Sequence, residues 1–273
     1  MRSPAQHVAQ GKPRWGTLIV LALVAQVLMV VVSVVFSPFL SLHALLIVAT
    51  AVPLLGVGVV AQQRWGLRVP MGDATARHVG VALLMGVSLG VMGTGMAGLS
   101  VTVIEQLAGA LGASEWFAEF VASREMMYES VLLLDRPALI PVVLLAVAVA
   151  PGFLEEYFFR GVLADLVAAS PQWLRAVGIG VVFGVVHGDP VALLPLTLLG
   201  ALLLLVRDRT GGWGVAAIVH FAFNANNAVL LPRLGDMGGD ASESVVLMSA
   251  LTLGGAAVSA LLYTLLPRSV QVD

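Results

Sequence analysis

The sequence predicts an all-α, polytopic membrane bundle of about eight transmembrane helices. Three observations predict it: only 11% of the residues are charged, 59% are hydrophobic, and the mean hydropathy is +0.98. Soluble domains carry roughly 25% charged residues, so this chain has less than half the ionic surface that keeps a folded body in water. A spanning helix needs roughly 20 apolar residues, so a chain of this length with short loops has room for about seven or eight. Apolar runs bounded by charges, Pro or Gly lie near 15–36, 39–61, 79–104, 138–164, 173–188, 190–206, 212–231 and 245–266. The first run is too long for the apolar stretch of a secretory signal and lacks a convincing cleavage site, so it reads as a retained span with no pre-sequence.

Orientation follows from the cations. With the N-terminus in the cytoplasm, Arg2, Lys12, Arg14, Arg64, Arg68, Arg77, Arg175, Arg207, Arg209 and Arg268 fall on one side, and Arg124, Arg136 and Arg233 on the other. Ten against three, with Arg160 inside a span, fits an even number of spans with both termini in. The expected location is a bacterial plasma membrane, and the first expected partner is the lipid bilayer. A net charge of −2 gives no basic footprint, so nucleic acid is not expected as a partner. The absence of cysteine removes disulfides, thiolate metal sites and a Cys nucleophile. The organisation read from these runs is a cytoplasmic tail over 1–14, N-terminal spans with an interfacial helix over 15–137, a polar core over 138–231, and a loop with the last span over 232–273.

The longest connection, about 105–137, sets Glu115, Glu119, Glu125, Glu129 and Asp135 among Trp116, Phe117, Phe120, Met126, Met127 and Tyr128. This is the pattern of an interfacial amphipathic helix: either an acidic helix resting on the membrane or a lid over the bundle.

Ionisable groups inside a bilayer are expensive, so those in spans are candidates for function. They cluster in three helices. The fourth span carries Glu155, Glu156 and Arg160, the fifth Phe183 and His187, and the seventh His220 and Asn224. At a rise of ~1.5 Å per residue, Glu155 lies roughly 15 Å and His220 about 13 Å from the cytoplasmic turns, with Asn224 about 20 Å in. His187 is about 22 Å along its own helix, less any tilt, and the sequence His187-Gly188-Asp189-Pro190 predicts a hairpin turning within the membrane. Adjacent Glu155 and Glu156 point about 100° apart. Glu156 is four residues before Arg160, the spacing of an intrahelical ion pair, which leaves Glu155 for chemistry.

A carboxylate, two imidazoles and an amide in a confined wet pocket suit peptide hydrolysis. The carboxylate takes a proton from water, His orients that water, and His with Asn donates to the developing oxyanion. The same groups also suit metal ligation, with Glu155, His187 and His220 holding zinc and leaving a fourth position for water. A noncatalytic membrane protein, such as a transporter, immunity factor or scaffold, is the alternative use of such a pocket.

Two further patterns imitate catalytic motifs. Gly86-Val87-Ser88-Leu89-Gly90 has nucleophile-elbow spacing and Gly93-x-Gly95-x-x-Gly98 dinucleotide-loop spacing, but both lie inside a span without the strand each requires. The first is therefore discounted as a nucleophile, and the second reads as a packing surface, as do Gly180, Gly184 and Gly188. His43 reads as a tolerated polar contact, His78 as an interfacial residue, and His7 as part of the tail.

Glu155-Glu156-x-x-x-Arg160, Phe183-x-x-x-His187 and His220-x-x-x-Asn224, in that order, resemble the CPBP family of intramembrane proteases. That family includes type II CAAX prenyl proteases and bacteriocin-processing, Abi-like proteins. The resemblance covers about 138–231. It implies an endopeptidase acting on a membrane-associated peptide or protein, with Glu155 as the base that activates water and His187 binding that water or a metal. It further implies His220 and Asn224 at the oxyanion, Glu156 and Arg160 bracing the site, and Phe183 packed against it. Both zinc-assisted and metal-free glutamate mechanisms are compatible with the resemblance.

Overall fold

The computed structural model describes residues 12–132, 136–230 and 241–268, which form nine helices and no strand. Arg2, His7, Asp135 and Arg233 lie outside the described residues. Each predicted apolar run is helical: α1 is Trp15–Phe36, α2 Leu42–Trp65, α3 Ala76–Ala110, α5 Pro137–Leu166, α6 Gln172–Val186, α7 Leu193–Thr210 and α9 Ala241–Leu265. The acidic connection is α4, Ser114–Leu132, and α8 covers 213–230, with α-helix over Trp213–Ala225 and a π-helical end over Asn226–Leu230. Segments within α1, α2, α3, α5 and α9 are long and apolar enough to cross a membrane. The other three are confined by sequence. α6 is short, α7 ends in Arg207-Asp208-Arg209, and α8 carries His220 and a run of asparagines.

The outer faces explain the composition. Val27, Val34, Val60, Leu84, Val246 and Leu253 are more than half exposed, a surface that water would not tolerate and lipid requires. The chain is an integral membrane helix bundle.

Eight helix ends meet at one end of the bundle. The Arg14 amide donates to the Leu166 carbonyl at 3.0 Å, and the Gly214 amide to the Met71 carbonyl at 2.7 Å. The Arg68 amide donates to Asp165 at 3.1 Å, and Arg209 Nε to the Leu266 carbonyl at 2.7 Å. Arg175 pairs with Asp208 at 2.8 Å, joining the start of α6 to the end of α7. Arg14, Arg68, Arg175, Arg207 and Arg209, which sequence placed on one side, therefore gather around one set of turns. The membrane supplies no partners for frayed helix ends, and here side chains and neighbouring backbone satisfy them.

Glycine sets the helix spacing. A Cβ on Gly180 would stand 2.5 Å from the Thr197 carbonyl, and one on Gly184 2.5 Å from Thr197 Oγ1, so α6 and α7 touch along their backbones. Gly188 belongs to a different role: its φ of +66° ends α6, and a Cβ there would meet open space. The two imitative motifs are contact surfaces, as their helical setting requires. Gly86 abuts Val219 and Ala222 of α8, and Gly95 abuts Met248 and Thr252 of α9. Ser88 donates to the Gly255 carbonyl at 2.9 Å and accepts from Ser259 at 3.1 Å, which commits its hydroxyl to the α3–α9 seam.

His43 makes a polar contact, from Nε2 to the Val131 carbonyl at 2.8 Å, which ties α2 to the end of α4. His78 is more than an interfacial residue: it is buried, and it forms a capping box with Thr75 at the start of α3.

Gly184→Val is expected to force α6 from α7, at about 1–3 kcal/mol or more of stability. A thermal-unfolding scan in detergent checks this, with Gly56→Val, which meets nothing within 4 Å, as the control.

Candidate active site

The polar core begins with an irregular helix. Pro151 has no N–H and its ring crowds the carbonyl one turn earlier, and α5 accommodates it with a wide π turn over Leu145–Val149. A short α-helical piece, Ala150–Glu156, then presents the two glutamates before a second π turn, Tyr157–Leu163, which carries Arg160. Single π turns inside α-helices recur where side chains must be aimed.

Glu156 and Arg160 face the protein interior and are fully buried, 2.7 Å apart. This is the ion pair their spacing predicts. Arg160 also donates through Nη2 to the Gly200 carbonyl at 2.9 Å, and its guanidinium lies over the Phe183 ring at 4.5 Å. Gly200 stands against Gly180 of α6, so the same close approach that joins α6 to α7 brings this carbonyl within reach of Arg160. His220 joins the cluster: its Nδ1 lies 2.9 Å from Glu156 Oε1. Because a carboxylate only accepts, Nδ1 carries the proton in this bond. The pairing of His220 with Glu156 links the α5 and α8 motifs directly, a contact that spacing within one helix does not reveal.

Glu155 points elsewhere. With His187 it lines a cavity of about 220 Å³ bounded by α1, α2, α5 and α6. A water molecule occupies roughly 30 Å³ in the liquid, so this hollow accommodates several waters or a short stretch of peptide. His187 Nε2 stands 3.8 Å from Glu155 Oε2, beyond direct hydrogen-bond reach, and Oε2 has no partner among the described residues. The other nitrogen, Nδ1, is 2.6 Å from the Phe183 carbonyl and must donate to it. That bond fixes the ring and turns Nε2 toward the carboxylate. Phe183 packs edge to face on His220, with centroids 5.7 Å apart, and 4.7 Å from the His187 ring. One buried phenyl ring therefore contacts both imidazoles and the guanidinium.

The predicted set is thus brought together in two layers. Glu155 and His187 face the cavity, while Glu156, Arg160 and His220 form the buried layer behind Phe183. Asn224 is half-buried one turn beyond His220 on α8, and neither it nor His220 lines the cavity. The same division bears on zinc. Among the described residues no group of three or more His, Asp or Glu is placed to hold a metal ion. Glu155 and His187 offer two donors and His220 is turned onto Glu156, so these residues, as placed, do not fit a three-ligand zinc site.

Two contributors escaped the sequence reading. Gln26, an amide in the middle of apolar α1, lines the cavity with Glu155. Its signal was its isolation in a run of Leu, Val and Ala. The second is Asp189, two residues after His187. Its Oδ1 accepts from the Val191 and Ala192 amides and its Oδ2 pairs with Arg124 at 2.7 Å. Phe117 of α4 is buried beside Val191, and Phe120, Val121 and Arg124 continue the same helix face. The amphipathic helix is therefore anchored to the turn that ends the His187 helix.

Replacing Arg160 by Met leaves a buried carboxylate without its cation, and is expected to destabilise the bundle by about 3–5 kcal/mol. Paired replacement of Glu156 and Arg160 by Gln and Met is expected to lose less, and unfolding midpoints of the three proteins in one detergent measure the difference.

Residues 137–226 match the family model described as Type II CAAX prenyl endopeptidase Rce1-like. Comparison with curated proteins and with solved structures returned no match. The matched stretch runs from the start of α5 into α8 and contains Glu155, Glu156, Arg160, Phe183, His187, His220 and Asn224. Together with the ordered trio of polar helices, the match makes this stretch of the membrane bundle similar to Rce1-like, CAAX-type endopeptidases, consistent with the CPBP family.

Proposed function

We propose that this protein is an intramembrane endopeptidase in which Glu155 activates a water held between its carboxylate and His187. The observation that carries the reading is the facing pair of Glu155 Oε2 and His187 Nε2 at 3.8 Å in a cavity within the bundle. A water between them donates one proton toward Glu155 while its oxygen attacks the carbonyl carbon of the scissile peptide. The proton passes from Glu155 to the departing amine as the C–N bond breaks, so hydrolysis balances without a nucleophilic side chain. Donors for the oxyanion come from His220 and Asn224, one turn apart on α8, once a bound peptide extends past the cavity wall to them; His220 donates through Nε2 as an imidazolium whose Nδ1–H is held by Glu156. No step requires a metal, in keeping with the two-donor geometry of Glu155 and His187. The substrate class is a membrane-associated peptide or protein, since the cavity is walled by spans that face lipid. The location we propose is a bacterial plasma membrane, and the gathering of basic residues at one end supports an orientation with both termini in the cytoplasm.

Glu155→Gln is expected to lower cleavage of a membrane-peptide library by at least about 100-fold with the fold intact. Unchanged product formation by mass spectrometry would overturn the reading. Ser88→Ala is expected to leave cleavage unchanged, and chelator-treated protein to retain activity. Loss on chelation with recovery on added zinc would restore a metal to the site.

The cysteine-free sequence gives a direct test of sidedness. Single cysteines at Ala74 and at Ser130, near opposite ends of the bundle, are expected to react with an impermeant maleimide from opposite faces of sealed vesicles, Ala74 from the cytoplasmic one.

A further inference from the structure

We propose that Gln26 of α1 is a substrate-binding residue that hydrogen-bonds the peptide backbone beside the scissile bond. The inference deepens the hydrolase reading and rests on it. α1 is apolar almost throughout, with Gln26 as its only amide and no ionisable side chain between Trp15 and Phe36. A primary amide at mid-span is costly against lipid, and this one turns inward, half-buried, into the cavity that holds Glu155 and His187. None of the hydrogen bonds among the described residues engages its side chain.

Its depth matches the carboxylate. The backbone bond from Arg14 to Leu166 fixes the start of α1 beside the end of α5. Gln26 lies eleven residues from Trp15 and Glu155 eleven from Leu166, so both stand roughly 16 Å from that shared end. Ala22, Ala25 and Met29 share the Gln26 face of α1 and complete the wall without polar competition. A carboxamide presents one acceptor and two donors, which complement the N–H and C=O of a peptide group. A peptide leaving water for this cavity must satisfy those backbone groups, and Gln26 is the cavity-lining group outside α5 and α6 that can do so with side-chain atoms.

The interaction forms in the bound peptide and persists through the reaction, so its loss acts on KM rather than kcat. With purified full-length protein and the best-cleaved synthetic apolar peptide of membrane-spanning length, Gln26→Met is expected to raise KM about tenfold with kcat within about twofold. Met keeps the length and flexibility of Gln and suits a lipid-facing helix, and Gln26→Leu serves as a second variant should Met perturb folding. N-methylation of successive peptide bonds near the cleavage point is expected to contain one position that weakens wild type about tenfold and leaves Gln26→Met unaffected.

Unchanged KM in both variants would overturn the proposal, as would a fall in kcat alone or an N-methylation pattern shared by wild type and variant. Binding of the same fluorescent peptide to Glu155→Gln and to Glu155→Gln/Gln26→Met separates this proposal from the reaction. Weaker binding by the double variant supports Gln26 even if Glu155→Gln still cleaves, and equal binding overturns it even if Glu155 proves essential.

Discussion

The buried pairing of Glu156 with Arg160 is the constraint around which the rest of the core is arranged. Neither charge could occupy this position alone, because a bilayer-embedded protein has little water with which to solvate it. Together they are neutral, and the guanidinium reaches outward to the neighbours: Nη2 donates to the Gly200 carbonyl of α7 and the guanidinium lies over the Phe183 ring of α6. Glu156 accepts from His220 of α8 as well. Four helices are thus registered on one ion pair. The consequence for chemistry is a division of labour between adjacent glutamates. Glu156 spends its charge on architecture, while Glu155, turned about 100° away, keeps a carboxylate oxygen for the cavity.

The second determinant is the short α6–α7 hairpin. α6 has 15 residues, against 30 in neighbouring α5, so the chain turns back after about half that helix's length. His187 caps the helix at this level, near Glu155, and positive φ at Gly188 reverses the chain. A turn at that depth must satisfy its own backbone, and Asp189 does so through two amide bonds while holding Arg124. The acidic, aromatic α4 therefore joins the site architecture through one buried edge, Phe117 to Arg124, and leaves Trp116, Met126 and Met127 exposed.

Much of this was legible because membrane burial makes polar residues conspicuous. The all-helical class followed from composition, and the Glu156–Arg160 bond from a four-residue spacing that needs no knowledge of other helices. Gly180 and Gly184 likewise announced a close seam. What sequence did not yield are contacts between distant segments: His220 Nδ1 on Glu156, Arg124 on Asp189, and Gln26 opposite Glu155. A helix's periodicity identifies its own faces but not its neighbour's rotation about the bundle axis. The π turns were illegible too, since Pro151 signals an irregularity without specifying whether the helix kinks, breaks or widens.

The two π turns give α5 a property that residue identities alone would not. Each accommodates one more residue than an α-helical turn; Tyr157–Leu163 follows the glutamate pair directly, and Leu145–Val149 precedes the short α-helical piece that carries it. The phase of this helix is therefore set by chain length. Side-chain replacement can tune what the glutamates touch, but a one-residue deletion within Tyr157–Leu163 would reset the rotation between them and everything toward Leu166. Such a change would exchange which neighbour faces the hollow and which faces the guanidinium. In this segment, insertions and deletions act on which carboxylate faces the cavity.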